Sequence, residues 1–228
     1  MWVMRTVTLS GWGQPVDALR GVVPPEAMHL DYAAFSPTEW FATAERREAD
    51  LVVGWSLGGQ LAVRMIASGR LAAQRLVLVA APYQFVESEE LRIGMSRAGY
   101  EDFARRYERN PARTLRRAWE LAIFGDSRAD RVREAMGGHD AEAIARSRWG
   151  NWLTELGRFS CGGVDLARLP PTLLIQGVKD AVVGCGQAGH FAGRLPSSRV
   201  LGFEECGHAP HWHDAAGVRL AIQEWAGG

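Results

Sequence analysis

The sequence predicts an α/β fold: a mostly parallel sheet flanked by helices and interrupted by one helical insertion. Three observations predict it. Short apolar runs recur along the chain with little alternation between apolar and polar positions, the pattern of strands covered on both faces. Between two of those runs, from about Tyr83 to Arg168, the periodicity becomes helical over a stretch too long for an ordinary loop. In "LVVGWSLGGQLAV", Leu51 to Val63, a glycine-framed serine stands between an apolar run and the first turns of a helix.

Taken in order, the strands are expected in "VMRTVTLS", "AMHLDY", "DLVVGW", "RLVLVA", "PTLLIQG" and "SRVLGFE". Within the insertion, Tyr100, Phe103 and Tyr107 fall at helical spacing, and Leu115, Trp119, Ala122 and Ile123 share one face of the next segment. Asn110 is an N-cap candidate with Pro111 at the first helical position. The segments "SRADRVREAMGG" and "AEAIARSRWGNWLTELGRF" complete the helices before glycines and "LPP" end the run. The expected division is a core of residues 1–82 and 169–228 with a helical cap at 83–168.

The 228 residues fit one domain with a sizeable core. Twenty-six basic against 26 acidic residues leave no net charge, so nucleic acid and anionic membranes are not expected partners. "MWVMRTVTLSGWG" lacks the pattern of a signal peptide, and the longest apolar run, "LVLVAAP", is too short to span a bilayer. Cys161, Cys185 and Cys206 are odd in number and lack paired spacing. No disulfide framework and no structural zinc site is expected, and a reducing cytoplasm is the simplest setting.

Gly54-Trp55-Ser56-Leu57-Gly58 matches G-x-S-x-G in the required order of strand, turn and helix. Side chains at Gly54 and Gly58 would collide with neighbouring backbone and keep Ser56 from projecting above the sheet. A serine hydroxyl attacks only when a base removes its proton. His208, in a Gly-His turn just after the last strand, is the expected base; His211 and His213 are expected on the exposed start of the closing helix. His29, His139 and His190 have no catalytic context. Asp180, just past a strand's C-terminal end, is the expected carboxylate that orients the imidazole, giving the chain order Ser56, Asp180, His208. The Leu57 N–H is one expected oxyanion donor, and the Trp12 N–H, between Gly11 and Gly13, is the other. The plain alternatives are a serine in a tight turn, a surface aspartate and a packed tryptophan.

With "SGWG", "GWSLGGQLA", "GVKDAVV" and "CGHAP" in view, the chain resembles the α/β-hydrolase superfamily and, within it, the BioH-type pimeloyl-acyl-carrier-protein methyl ester esterases. The resemblance implies an α/β-hydrolase fold with a helical cap and hydrolysis of a methyl ester on a pimeloyl chain carried by acyl carrier protein, a step of biotin synthesis. It implies Ser56 as nucleophile, His208 as base and acid, Asp180 as orienter, and Trp12 and Leu57 as oxyanion donors, with no cofactor and no metal. Against the family pattern, the chain begins almost at the oxyanion-loop strand, which implies a shortened N-terminus. Ser10 replaces a common histidine, and "LDYAAFSPTEW" lacks the usual Asp-Pro-Gly loop.

Arg105, Arg109, Arg113 and Arg117 recur every four residues, with Arg106 and Arg116 nearby. Pro111 interrupts the register, so a basic patch is expected and no straight stripe. Arginines suit an acidic carrier, and the resemblance implies that role for Arg105, Arg109, Arg113, Arg116 and Arg117. Trp12, Trp55, Leu57, Phe124 and Trp152 are the expected substrate-binding residues, with Phe85, Trp119, Trp149 and Phe159 as further candidates for an acyl channel. A monomer is expected. The competing functions are a broader esterase, thioesterase or lactonase, and a ligand-binding receptor on the same fold. Dehalogenases and epoxide hydrolases of this superfamily carry aspartate where Ser56 stands.

Overall fold

The computed structural model describes residues 4–43 and 45–227. Met1 to Val3 and Gly228, the outermost residues of the expected core, lie outside them, as does the start of the predicted strand "VMRTVTLS". Six strands form one sheet: β1 (Thr6–Leu9), β2 (Met28–His29), β3 (Arg47–Trp55), β4 (Leu71–Val79), β5 (Thr172–Gly177) and β6 (Ser198–Phe203). Their spatial order is β2-β1-β3-β4-β5-β6, and every adjacent pair is parallel. The sequence predicts a mostly parallel sheet; among the described residues it is wholly parallel.

Burial explains the unalternating runs. On β3, Leu51, Val53 and Trp55 join one apolar cluster with Val77, Val79, Leu173 and Ile175, while Val52 joins the opposite cluster with Leu76, Leu78 and Leu174. Helix α2 (Leu57–Ala67) covers the second face through Leu61 and Met65, and α10 (Ala215–Gly227) covers the first through Val218 and Ile222. Each such side chain removed from water contributes about 1.5–3 kcal/mol before chain entropy is counted. At the buried ends of β3 and β4 consecutive residues are therefore apolar. Outside the sheet, α1 (Pro37–Thr43) precedes β3.

Between β4 and β5 run five α-helices, α3 (Arg97–Arg109), α4 (Pro111–Ala122), α5 (Ala129–Met136), α6 (Ala141–Ile144) and α7 (Trp149–Arg158), and two short 3-10 turns, Cys161–Gly163 and Leu166–Arg168. The Asn110 side chain accepts the Arg113 N–H at 3.0 Å, with Pro111 opening α4, so α3 and α4 are two helices and not one rod. The segment "AEAIARSRWGNWLTELGRF", expected as one helical stretch, is divided into α6 and α7. The Arg148 N–H turns away to the Ala33 carbonyl at 3.1 Å, which swings Trp149 and Trp152 onto Tyr32. Helices α8 (Gly186–Ala192) and α9 (Pro210–His213) complete the element order.

Candidate active site

The C-terminal end of β3 turns sharply into α2 at Ser56, whose φ of 53° and ψ of −122° are costly for a non-glycine residue, about 1–3 kcal/mol. Its neighbours hold it there. A Cβ on Gly54 would stand 2.6 Å from the Gly59 Cα, and one on Gly58 would stand 2.4 Å from the Ser10 carbonyl oxygen. The Ser56 N–H bonds the Val79 carbonyl at 2.9 Å, and its own carbonyl accepts the Gly59 N–H at 2.9 Å.

Three loops from three strand ends meet at this turn. Ser56 Oγ lies 3.0 Å from His208 Nε2, and His208 Nδ1 lies 2.8 Å from Asp180 Oδ2. All three residues are buried. Asp180 follows β5, and its Oδ1 accepts the N–H groups of Val182 and Val183, each at 2.8 Å. Its Oδ2 also accepts Gln176 Nε2 at 2.8 Å. These bonds aim the second carboxylate oxygen at the imidazole and fix the tautomer with a proton on Nδ1, leaving Nε2 free to accept the serine proton. Gln176 was missed by the sequence reading, because a glutamine inside an apolar strand carries no sign of its partner four residues on.

His208 is gripped through its backbone. Its N–H bonds the Ala122 carbonyl at 2.8 Å, and its own carbonyl accepts the Trp55 indole N–H at 3.0 Å. The preceding Gly207 N–H bonds Asp126 Oδ2 at 2.8 Å. Asp126 was also missed: it lies in an unremarkable turn between α4 and α5.

Leu57 is the first residue of α2, a position whose N–H has no intrahelical acceptor and points outward with the positive end of the helix. The Gly11–Gly13 turn passes beside it. A Cβ on Gly11 would stand 3.4 Å from the Ser56 Cβ, which places this backbone against the nucleophile. The Trp12 indole is meanwhile packed: its Nε1 bonds the Trp149 carbonyl at 2.9 Å, and its ring meets Phe103 and Tyr107 edge-on. The packed ring and the donor-bearing turn are compatible, since one uses the side chain and the other the backbone.

A cavity of about 360 Å³ opens above Ser56, bounded by Gly11, Trp12, Trp55, Phe85, Phe103 and Leu156, with Met95, Ala118, Trp119 and Val182 extending the apolar wall. Its polar groups beyond Ser56 and His208 are Gln14, Thr114, Asp102, Arg106 and Arg117. Such a cavity suits a hydrocarbon chain with polar ends.

Several expectations are corrected here. Trp152 does not line the cavity: it is 0 % exposed, with its Nε1 bonded to the carbonyls of Tyr32 and Phe35 at 3.1 and 3.0 Å. Trp149 packs on Trp12 and Tyr32, and Phe159 beneath the Arg64 guanidinium, so neither borders the cavity. Phe124 is 69 % exposed just past α4 and faces away from it. The Leu57 side chain is buried in the core, leaving only its backbone for the site. His211 and His213, expected at an exposed helix start, are 1 % and 6 % exposed. His211 packs between Trp55 and Trp212, at ring distances of 4.4 and 4.5 Å, and burial, reinforced by nearby His208, pushes its pKa down to about 3.

His213 Nδ1 bonds Asp126 Oδ1 at 2.7 Å, and Cys206 Sγ lies nearby. That separation is a hydrogen bond: ligand atoms sharing one tetrahedral zinc stand about 3.3 Å or more apart, given metal–ligand bonds near 2.0–2.3 Å. Burial and Asp126 also push the Cys206 thiol up.

The expected carrier arginines lie on two helices. On α3, Arg105 and Arg106 both face Asp102, at 3.8 and 2.6 Å, and Arg109 is exposed. On α4, Arg116 pairs with Glu142 at 3.0 Å, Arg113 is exposed and Arg117 borders the cavity. Asn110 and Pro111 divide them between two helices, so no straight stripe runs through them.

Residues 5–220 match the alpha/beta hydrolase family. The chain belongs to that family. Within this alpha/beta hydrolase family, similar curated relatives are the pimeloyl-[acyl-carrier protein] methyl ester esterases of Nitrosomonas europaea, 30% identical over 163 residues, and of Aromatoleum aromaticum, 29% identical over 179. Each match covers 70% of this chain, with 64% and 67% of the two relatives, so the chain spans about two thirds of their length. Among solved structures, a bromoperoxidase from Bacillus anthracis superposes with a TM-score of 0.79 at 18% identity, covering 99% of this chain and 93% of its own. An esterase from Exiguobacterium antarcticum gives 0.78 at 14% identity, covering 98% and 92%. At these identities the likeness establishes the fold.

Proposed function

We propose that the chain is a serine carboxylesterase that hydrolyses the methyl ester of a pimeloyl chain carried by acyl carrier protein, releasing methanol in biotin biosynthesis. The class of reaction, hydrolysis of a carboxylic ester, rests on the alpha/beta hydrolase family and on the esterase relatives. The observation that carries the proposal is the Ser56–His208–Asp180 relay, at 3.0 and 2.8 Å, on the floor of an apolar cavity.

In this mechanism Ser56 Oγ attacks the ester carbonyl while His208 Nε2 takes its proton, and Asp180 stabilises the imidazolium. The N–H groups of Trp12 and Leu57 meet the oxygen that becomes negative. His208 returns the proton to the departing methoxide, methanol leaves, and water repeats the sequence on the acyl-enzyme. Residues 83–168 act as the cap. Its arginine patch meets the acidic carrier, and the pimeloyl chain runs between Phe103, Trp119 and Leu156 to Ser56.

Purified protein incubated with methyl pimeloyl-acyl carrier protein should lose 14 mass units from the substrate, the exchange of a methyl group for hydrogen, about as fast as an esterase turns over. Ser56→Ala should abolish this without unfolding. Turnover of short esters with none of the carrier-linked substrate would leave a broader esterase. A bound acyl group without product would leave a receptor.

A further inference from the structure

Beside the relay lies a second buried Asp–His pair that the mechanism above does not use. Asp126 is 8 % exposed, and its carboxylate receives bonds from three directions. Oδ2 accepts the Gly207 N–H at 2.8 Å; Oδ1 accepts the Arg128 N–H and His213 Nδ1, each at 2.7 Å. The flanking backbone adds to this. The Ala122 carbonyl holds the His208 N–H at 2.8 Å, and the Ser127 N–H holds the Glu205 carbonyl at 2.9 Å. The turn from Ala122 to Arg128 is thus stitched along the loop that carries the base. The fit is close: a Cβ on Gly207 would stand 2.6 Å from the Ala122 carbonyl oxygen.

A buried carboxylate is costly unless every lone pair is used, and an apolar side chain is often the more stable occupant of such a site. Here the acid faces an N–H one residue before His208. We infer that Asp126 is a positioning residue for His208, an inference that rests on the serine-esterase reading. Asp180 sets the ring from its far side, while Asp126 and Ala122 set the backbone from which the ring hangs. Without Asp126 the Gly207 N–H is left buried and unpaired, and the loop shifts to find a partner. A displacement of about 1 Å at a reacting group can cost about a hundredfold in rate.

The test uses Asp126→Ala and Asp126→Asn, assayed with a short methyl ester well below the Tm of each variant, so that carrier binding plays no part. The rate at which phenylmethylsulfonyl fluoride sulfonylates Ser56 is a second readout of the serine–histidine relay. In Asp126→Ala, kcat should fall about ten- to a hundredfold with KM within about twofold, and sulfonylation should slow in parallel. Asp126→Asn should recover part of both, because its one amide oxygen can take the Oδ2 place beside the Gly207 N–H, at the expense of the Arg128 N–H on the other side. If Asp126→Ala fails to fold, the Asn variant carries the same comparison. A lowered Tm with unchanged kcat and sulfonylation would overturn the inference, leaving Asp126 a stabilising residue only. Wild-type turnover in Ser56→Ala would instead overturn the esterase reading beneath it.

Discussion

Trp55, the residue before Ser56 in the chain, donates its indole N–H to the backbone carbonyl of His208 at 3.0 Å. The two residues are 153 positions apart, so this bond ties the turn that presents the serine directly to the loop that presents the imidazole. On the opposite side the His208 N–H is held by Ala122. The base is clamped between the sheet and the inserted helices.

Replacing that tryptophan tests the clamp. Trp55→Phe keeps an aromatic ring against His211 and Trp212 but leaves the buried His208 carbonyl without its donor. Stability should fall by about 1–3 kcal/mol, read from urea unfolding, and kcat for a short ester should fall with it. Unchanged values of both would show that the bond is dispensable.

The serine turn should be intolerant of a side chain at Gly58, whereas Gly163, outside that turn, should accept one. In Gly58→Ala the new methyl meets the backbone oxygens of Leu9 and Ser10, which cannot move without breaking β1 from the sheet. Activity should drop at least about a hundredfold, with a lower Tm. A Cβ on Gly163 meets nothing within 4 Å, so Gly163→Ala should match wild type.

His211 makes stability depend on acidity. Its pKa near 3 in the folded chain lies below the ordinary 6.5, so between those values the unfolded chain binds a proton that the folded chain refuses. Stability is therefore undiminished above about pH 6.5 and falls by up to about 1.4 kcal/mol per unit as pH drops toward 3. His211→Phe should flatten that slope by one proton. Parallel pH–stability curves for the two proteins would show that His211 does not titrate this way.

Ala118, on α4, borders the cavity above Ser56, the proposed path of the acyl chain. Ala118→Trp should fill that space and lower kcat/KM for octanoyl esters about tenfold or more, while acetyl esters change little. Equal losses across a chain-length series would place the acyl group elsewhere.

Arg109 and Arg113 are exposed and make no ion pair among the described residues. Glutamate at position 113 suits the positive end of α4, whereas at position 109 it meets the negative end of α3 and costs about 0.3–1 kcal/mol, so the variant is assayed well below its Tm. Arg109→Glu/Arg113→Glu should raise KM for the carrier-linked ester about tenfold relative to a short ester, less so at high salt. An unchanged ratio would move the carrier's docking face.

What the sequence determined by itself was whatever depends on neighbours within a strand or a turn. The apolar runs of the central strands β3, β4 and β5 follow from burial on both faces, whereas the edge strands β2 and β6 stay largely exposed. The need for Gly54 is local, because a side chain there would meet Gly58 and Gly59 of the same turn, whereas Gly58 clears Leu9 and Ser10 at the end of β1; Asp180 and His208 can be placed at strand ends by counting. Tertiary structure alone decided which way the large side chains face. Trp152 turns inward because Arg148, just before α7, bonds Ala33 and sets the helix against Tyr32, and Phe124 is exposed because α4 has ended. His211 and His213 are enclosed by Trp55 and Asp126, residues more than 80 positions away. Spacing along a chain records backbone geometry, whereas the partner of a buried polar group is supplied by packing between segments that the chain brings together only when folded.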